Sequence, residues 1–456
     1  MQKHLLALAT GVATLALSAA AFAGDNNKAY VDQIGSGNSY SVDQSGNNNE
    51  VATAAKRFQQ NGTGNQLSVT QTGSGNQFGV NPGPVSGEYT QNPGQVGFTS
   101  DPSSSNPYNE ATGTNNKITA NITGNDNGRT TSAAGYGFIT QSGRDNVANL
   151  SIQGNRNSFL IDQVRTGQTA NMTQVGDDND NTVAQFSGNG NNALSRTYGN
   201  SNTNRSSVYG FRNTYDGYQQ GNSNNSSAYV FGSDNSQTLR QYGDGNYHNA
   251  FTIGNNNVMN TTQNNNFGNA SYGNSASVYQ GYDEFGGVYS DNNVTYVSQT
   301  GGLNRIYSVQ SGPGGNNYAD LGQTGVSNSI NGLQYNNQSA YQNYAYVRQS
   351  GTGNQATYNQ YNAGNSLTLY QAGAGTNVAT STQGISNGDG YGVVGSGYNT
   401  ANLSQNGYGN SIDGNQSNIA NSGQYNTASV NQQGNGNVAS YKTSGGGGNS
   451  VSVNQH

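Results

Sequence analysis

The chain has 456 residues, among them 76 Asn, 39 Gln, 67 Gly and 31 Tyr, with only 8% charged residues and no Cys or Trp. This composition excludes an ordinary enzyme with oily cores, and a net charge of −6 offers no basic field for nucleic acid or anionic lipid. The lack of Cys removes disulfides and thiolate metal sites, while low charge combined with Tyr, Val, Ile and Thr argues against disorder and for β assembly.

At the N-terminus, Lys3 and His4 precede an apolar run from Leu5 to Ala21, and Ala21-Phe22-Ala23 forms a small-x-small cleavage pattern. The pattern predicts a signal peptide over residues 1–23, a mature chain from Gly24, and export from the cytoplasm. No later segment is apolar enough to cross a bilayer, so no membrane span is expected after cleavage.

Residues 24–76 carry a repeat with a period of eleven: Gln33, Gly35 and Asn38 recur as Gln44, Gly46 and Asn49, then as Gln60, Gly62 and Asn65 and as Gln71, Gly73 and Asn76. A stretch from 77 to 110 loses the repeat and holds five of the six prolines, which cannot donate to a strand ladder. It reads as an insertion. The repeat resumes over 111–456, for example at Gln241-x-Gly243, Gln323-x-Gly325, Gln349-x-Gly351, Gln405-x-Gly407 and Gln432-x-Gly434. Such self-similarity is the mark of a repeat architecture.

The six-residue step from Asn to Gln predicts a strand with both amides on one face. Between Asn65 and Gln71 that face carries Leu67 and Val69, while Gln66, Ser68 and Thr70 point the other way. The same holds for Asn38 to Gln44, Asn157 to Gln163, Asn354 to Gln360, Asn365 to Gln371 and Asn449 to Gln455. These twelve amides are the expected structural ladder residues. Between strands, the piece around each Gly is too short for a helix and must be a tight arc. Where the arc Gly is missing, at 265, 336, 362 and 418, the substitute is Asn, so the position is expected to need positive φ.

Two strand-arc units give a turn of about 22 residues, and hence an all-β flattened solenoid of roughly 18 turns with two facing parallel sheets, on the order of 85 Å long. Identical amides one turn apart would bond along the axis as in cross-β packing. Strands close to either end, Asn449 to Gln455 among them, show no distinct capping repeat, so polymerisation by edge pairing is expected.

The pattern Gln-x-Gly-x-x-Asn-x5-Gln, as in Gln33 to Gln44 and Gln60 to Gln71, closely resembles the curlin repeat of bacterial curli subunits. The resemblance implies a secreted functional amyloid of the extracellular matrix, serving cell adhesion and biofilm. It also implies as partners other copies of the chain, a curli-type nucleator and an outer-membrane secretion pore. The contrasting reading is a monomeric solenoid that binds ice, sugar or a surface through one flat face.

No constellation for catalysis stands out, and neither a cofactor nor a metal is expected. Asp177, Asp178 and Asp180 hint at Ca²⁺ but lack the calcium-solenoid pattern. Asp283 and Glu284 lie adjacent in an interruption and read as loop polarity, and Gly445 to Gly448 has no following Lys-Ser or Lys-Thr for a phosphate loop. His248 falls on an inward strand position and reads as core. Charges such as Asp32, Asp43, Arg144 and Lys442 read as gatekeepers against sticking of the faces.

Overall fold

Alternation of apolar and polar residues is what makes these segments strands. In Gln66–Thr72 the inward Leu67, Val69 and Gln71 are buried while Gln66, Ser68 and Thr72 are exposed. Burying Leu67 and Val69 is worth roughly 1.5–3 kcal/mol each. With only two such side chains per strand, each turn must pack against its neighbours to be stable.

The computed structural model describes residues 24–54, 57–79, 96–98, 113–129, 137–265, 273–281, 290–337, 341–384, 398–417, 425–444 and 448–456. The expected signal segment 1–23 and most of 77–110, with all its prolines, lie outside the described residues, as do Asp283, Glu284 and Asn418. The fold is an all-β parallel solenoid of about 14 turns with a repeat of about 24 residues and two main parallel sheets. Turns of 22 residues do occur, as from Gln141 to Gln163 and on to Gln185. Others span 27 residues from Gln44 to Gln71, 30 from Gln280 to Gln310, and 36 from Gln263 to Gln299. These longer excursions leave fewer turns than a strict 22-residue period implies.

The chain divides into two compact units, Met1–Asn224 and Asn225–His456. In the first, one sheet stacks Ser39–Ser45, Gln66–Thr72, Lys117–Thr123, Val147–Gln153, Thr169–Val175, Asn192–Tyr198 and Thr214–Gln220 in chain order. The opposing sheet begins with Val31–Ser36 and Phe58–Thr63 and continues through Gly137–Arg144, Ser158–Thr166, Asp180–Phe186 and Thr203–Phe211. Within the 77–110 stretch the short strand Val96–Phe98 joins this sheet, pairing on one side with Phe58 to Gln60 and on the other with Thr140 and Gln141. A small third sheet pairs Lys28–Ala29, Glu50–Val51 and Gln77–Phe78. The core here is bulky: Phe58, Phe78 and Phe159 stack at centroid distances of 5.8 and 6.0 Å, and Ile118, Ile122, Leu150 and Ile152 are likewise buried.

The second unit has nine strands in each sheet among the described residues. Its core alternates small and medium residues, among them Ala345, Val347, Leu367, Leu369, Ala401 and Leu403, and ends on the partly buried Val451 and Val453. Where a large side chain enters, a glycine on the neighbouring turn gives way. Tyr358 stands in register with Gly332, and Tyr441 with Gly414; a Cβ on either glycine would overlap the tyrosine ring. This pairing keeps the packed volume of the thin core constant.

Candidate functional site

A side-chain amide facing inward has two N–H donors and an oxygen acceptor to satisfy away from water. The second unit satisfies them by repetition. Gln241 donates through Nε2 to Gln263 Oε1, and the relay continues through Gln299, Gln323, Gln349, Gln371, Gln405 and Gln432 to Gln455, every step 2.7–3.0 Å. Each amide's remaining N–H ties the two sheets together: Gln349 donates to Ser329 O and Gln371 to Gln355 O, both at 2.9 Å. A second relay on the opposing sheet runs from Gln280 through Gln310, Gln334, Gln360 and Gln383 to Gln416 at 2.7–3.1 Å. In register it is flanked by Thr252 before and Thr443 after.

The glutamine relay has a direction: Nε2 donates to the later turn and Oε1 accepts from the earlier one. An acceptor is therefore left over where the preceding turn offers it no donor; Thr197, which precedes Gln219, supplies a hydroxyl at 3.5 Å in place of an amide. Gln44, Gln141, Gln174 and Gln280 all bury an Oε1 with no partner. The register neighbours that precede the last three are Phe98, Ile152 and Thr252, none of which carries an amide donor. In the first unit the relay Gln44 to Gln71 thus stops at Ile122 and Ile152 before Gln174. Gln163, on the other sheet, is in a short complete run, accepting from Gln141 at 2.7 Å and donating to Gln185 at 2.8 Å.

Asparagine relays run the other way. The backbone N and Nδ2 of Asn179 donate to Asn157 Oδ1 at 2.9 and 3.1 Å, while Asn157 Nδ2 reaches forward to Gly176 O at 2.8 Å. Each asparagine thus clamps the arc of the next turn. Asn38 accepts from Asn65 N, and Asn65 from Asn116 N. Asn354 accepts from Asn377 Nδ2 and Asn365 from Asn399 Nδ2, each at 2.9 Å. Asn65, Asn157, Asn354 and Asn365 are fully buried, as are Gln44, Gln71, Gln163 and Gln360. Asn38 and Gln455 are half-buried and Asn449, which donates to Asn426 Oδ1 at 3.0 Å, is exposed.

The arc glycines have positive φ, from 83° at Gly243 and 91° at Gly434 through 96° at Gly46, 101° at Gly351, 109° at Gly35, 110° at Gly73 and 113° at Gly325 to 120° at Gly62 and 126° at Gly407. A Cβ on Gly351 would collide with Gly373 O, and one on Gly407 with Gly434 O, so glycine answers both to φ and to the close approach of the next arc. The expectation for the asparagine substitutes needs correction. Asn362 has φ 66°, but Asn265 and Asn336 are not among the residues with positive φ. At these two the arc takes another path, and the Asn side chain bonds a carbonyl instead: Asn265 to Asp244 O and Asn336 to Gly315 O.

Sequence reasoning missed two features of the arcs. The residue just before a ladder asparagine is also left-handed, as at Asn48, Asp126, Arg156, Asp178, Arg212 and Asn256, with φ of 54–58°. There the ordinary left-handed region suffices, so polar residues replace glycine. The residue just after the arc glycine builds a further relay: Asn125 N donates to Asn155 Oδ1, Asn155 N to Asp177 Oδ1, Asp177 N to Asn200 Oδ1 and Asn200 N to Asn222 Oδ1, at 2.7–3.0 Å. The recurrent Gly-Asn or Gly-Asp dipeptide was its signal.

The three aspartates considered for Ca²⁺ are engaged otherwise. Asp177 accepts from Asn155, Asp178 forms a two-bond pair with Arg156 at 2.8 and 2.6 Å, and Asp180 meets Arg205 at 2.6 Å. No cluster of three metal-ligating side chains occurs among the described residues, and none of their helices is long and apolar enough to cross a membrane. His248 is fully buried against Thr261 Oγ1 at 3.1 Å, and burial pulls its pKa down to about 3.

No curated protein matches the chain. The family model of the Curlin associated repeat matches residues 23–46, the segment that holds Gln33, Gly35, Asn38 and Gln44.

Proposed function

We propose that this protein is a secreted structural subunit that stacks end to end into curli-like amyloid fibres of the extracellular matrix, for cell adhesion and biofilm. The observation that carries the reading is the direction of the amide relays. On the strand Ser450–Gln455, Gln455 Oε1 accepts from Gln432 at 2.7 Å and one Gln455 N–H is taken by Val438 O at 3.0 Å; repetition of the relay would aim the other N–H at a following turn. The buried Gln44 Oε1 lacks a donor. A second copy docking its Ser39–Ser45 strand on Ser450–Gln455 would supply that donor, setting Tyr40 on Val451 and Val42 on Val453. Backbone pairing at the edge would add the affinity that strand addition gives.

Export by a signal peptide, a curli-type nucleator and an outer-membrane pore belong to the same proposal and rest on the curlin resemblance. The test is assembly of residues 24–456 released from denaturant. Unbranched fibres that seed their own growth and diffract near 4.7 and 10 Å are expected. A folded, monodisperse monomer that ignores seeds would overturn the reading.

A further inference from the structure

Three tyrosines in the second unit meet along one flank. Tyr341 and Tyr398 have ring centroids 5.0 Å apart at 82°, and Tyr398 and Tyr425 are 5.2 Å apart at 65°. Each lies one or two residues before a ladder asparagine: Asn343, Asn399 and Asn426. The turn between the first two enters its strand at Asn365, where the corresponding residue is Gly364. A Cβ there would come within 2.7 Å of Tyr398 Cδ1. With no side chain at Gly364, Tyr398 reaches across that turn to Tyr341, a gap of two strand spacings or roughly 9.6 Å between backbones.

The backbones of the cluster are held in place. Asn336 Nδ2 donates to Tyr341 O at 2.6 Å, Asn426 N to Tyr398 O at 3.2 Å, and Gly448 N to Tyr425 O at 3.0 Å. The outer two rings are open to solvent, Tyr341 at 43% and Tyr425 at 56% exposure, while the central ring is half-buried. Edge-to-face contact brings the C–H edge of one phenol onto its neighbour, and every phenol carries two carbons ortho to its hydroxyl. Elsewhere Tyr318 and Tyr344 stack nearly flat, at 8° and 5.1 Å, and both are less exposed.

We infer that Tyr341, Tyr398 and Tyr425 form an oxidative cross-linking site, at which peroxide and a haem peroxidase join Tyr398 to either neighbour as dityrosine. In the step each phenol loses one electron and its hydroxyl proton, giving two phenoxyl radicals with spin on the ortho carbons. These carbons form the new C–C bond, and each displaced ring proton returns to its own oxygen. The two electrons and two protons lost reduce hydrogen peroxide to two waters. The bond would span two turns or adjacent turns of one unit, fastening them covalently in a chain without cysteine.

The test treats the dilute full chain with hydrogen peroxide and a haem peroxidase, then maps peptides. Expected is a peptide pair joining residue 398 to 341 or 425, lighter by two hydrogens than its parts, and more abundant than any pair containing the more exposed Tyr408. Tyr398→Phe keeps the ring but cannot form the phenoxyl, and should abolish both links. Gly364→Ala should reduce the 341–398 link and spare 398–425. The inference fails if cross-links follow exposure alone, if Tyr398→Phe leaves the yield at 341 and 425 unchanged, or if prior unfolding in denaturant does not lower it.

Discussion

The two units solve the same interior problem with different materials. In Asn225–His456 the glutamine relay passes through every turn of one sheet, so both N–H groups and the oxygen of each glutamine from Gln263 to Gln432 are used. In Met1–Asn224 the equivalent row reads Gln44, Gln71, Ile122, Ile152, Gln174, Thr197, Gln219. There, hydrophobic bulk from Ile122 and Ile152 replaces amide bonding and strands Gln174 Oε1, while the Thr197 hydroxyl donates to Gln219 Oε1 at 3.5 Å. The difference shows that an amide row behaves as a unit: a member inside it is worth more than one beside a gap, because removing it orphans groups on both sides.

The largest effect is expected at an arc. Gly351→Val forces a β-branched residue into φ 101° and against Gly373 O, at more than about 3 kcal/mol. Hydrogen-exchange protection of Asn343–Thr352 and Ser366–Ala374 should collapse while the first unit keeps its protection; unchanged protection would remove the steric argument for the arc glycines. Next comes a matched pair that tests the comparison directly. Gln349→Leu leaves Gln371 Oε1 and a Gln323 N–H unpaired and should cost about 2–4 kcal/mol, whereas Gln174→Leu removes an oxygen already without a partner and only the one bond to Ser158 O, and should cost about 1 kcal/mol. Equal losses in denaturant titrations of the two variants would mean the relay has no collective character.

The smallest effect concerns acid. His248 is held neutral by burial, with its pKa down at about 3 against about 6.5 in the unfolded chain. Its contribution is intact above the unfolded value and is lost as pH falls toward 3, at about 1.4 kcal/mol per pH unit. The second unit should therefore lose about 2 kcal/mol between pH 7 and pH 5 on this account. Comparing thermal unfolding of the wild type with His248→Leu across that range checks it: the variant should show a flatter pH profile, and parallel profiles would exclude the histidine as the cause.

The fold was legible in the sequence because a solenoid repeats one local rule, and the alternation around Leu67 and Val69 or Leu367 and Leu369 states that rule many times. Turn length was less legible, since the 36-residue turn from Gln263 to Gln299 keeps its two strands in the same register as a 22-residue one. In the site, the arcs held most of what was missed. Arg156 and Arg212 are left-handed although nothing in their chemistry announces it; the conformation is imposed by the clamp on the following asparagine. Asn265 and Asn336 share an arc position with glycine yet avoid positive φ, because a carbonyl partner outweighed the local preference of Asn. Breaks in the relays follow from which turns stack on which, as where Gln71 meets Ile122, and that register lies beyond any local window.

The pairing of Tyr358 with Gly332 and of Tyr441 with Gly414 bears on how a chain like this can lengthen over generations. Copying a single turn by gene duplication would place Tyr358 over a second tyrosine or Gly332 over a second glycine, leaving either a clash or a hole of ring size. Segments holding both partners can be copied intact. Growth of the gene in blocks of at least two turns is the inheritance pattern such a core permits, and lone-turn duplicates would survive only where neighbouring interior side chains already match, as Leu367 and Leu369 with their own copies would.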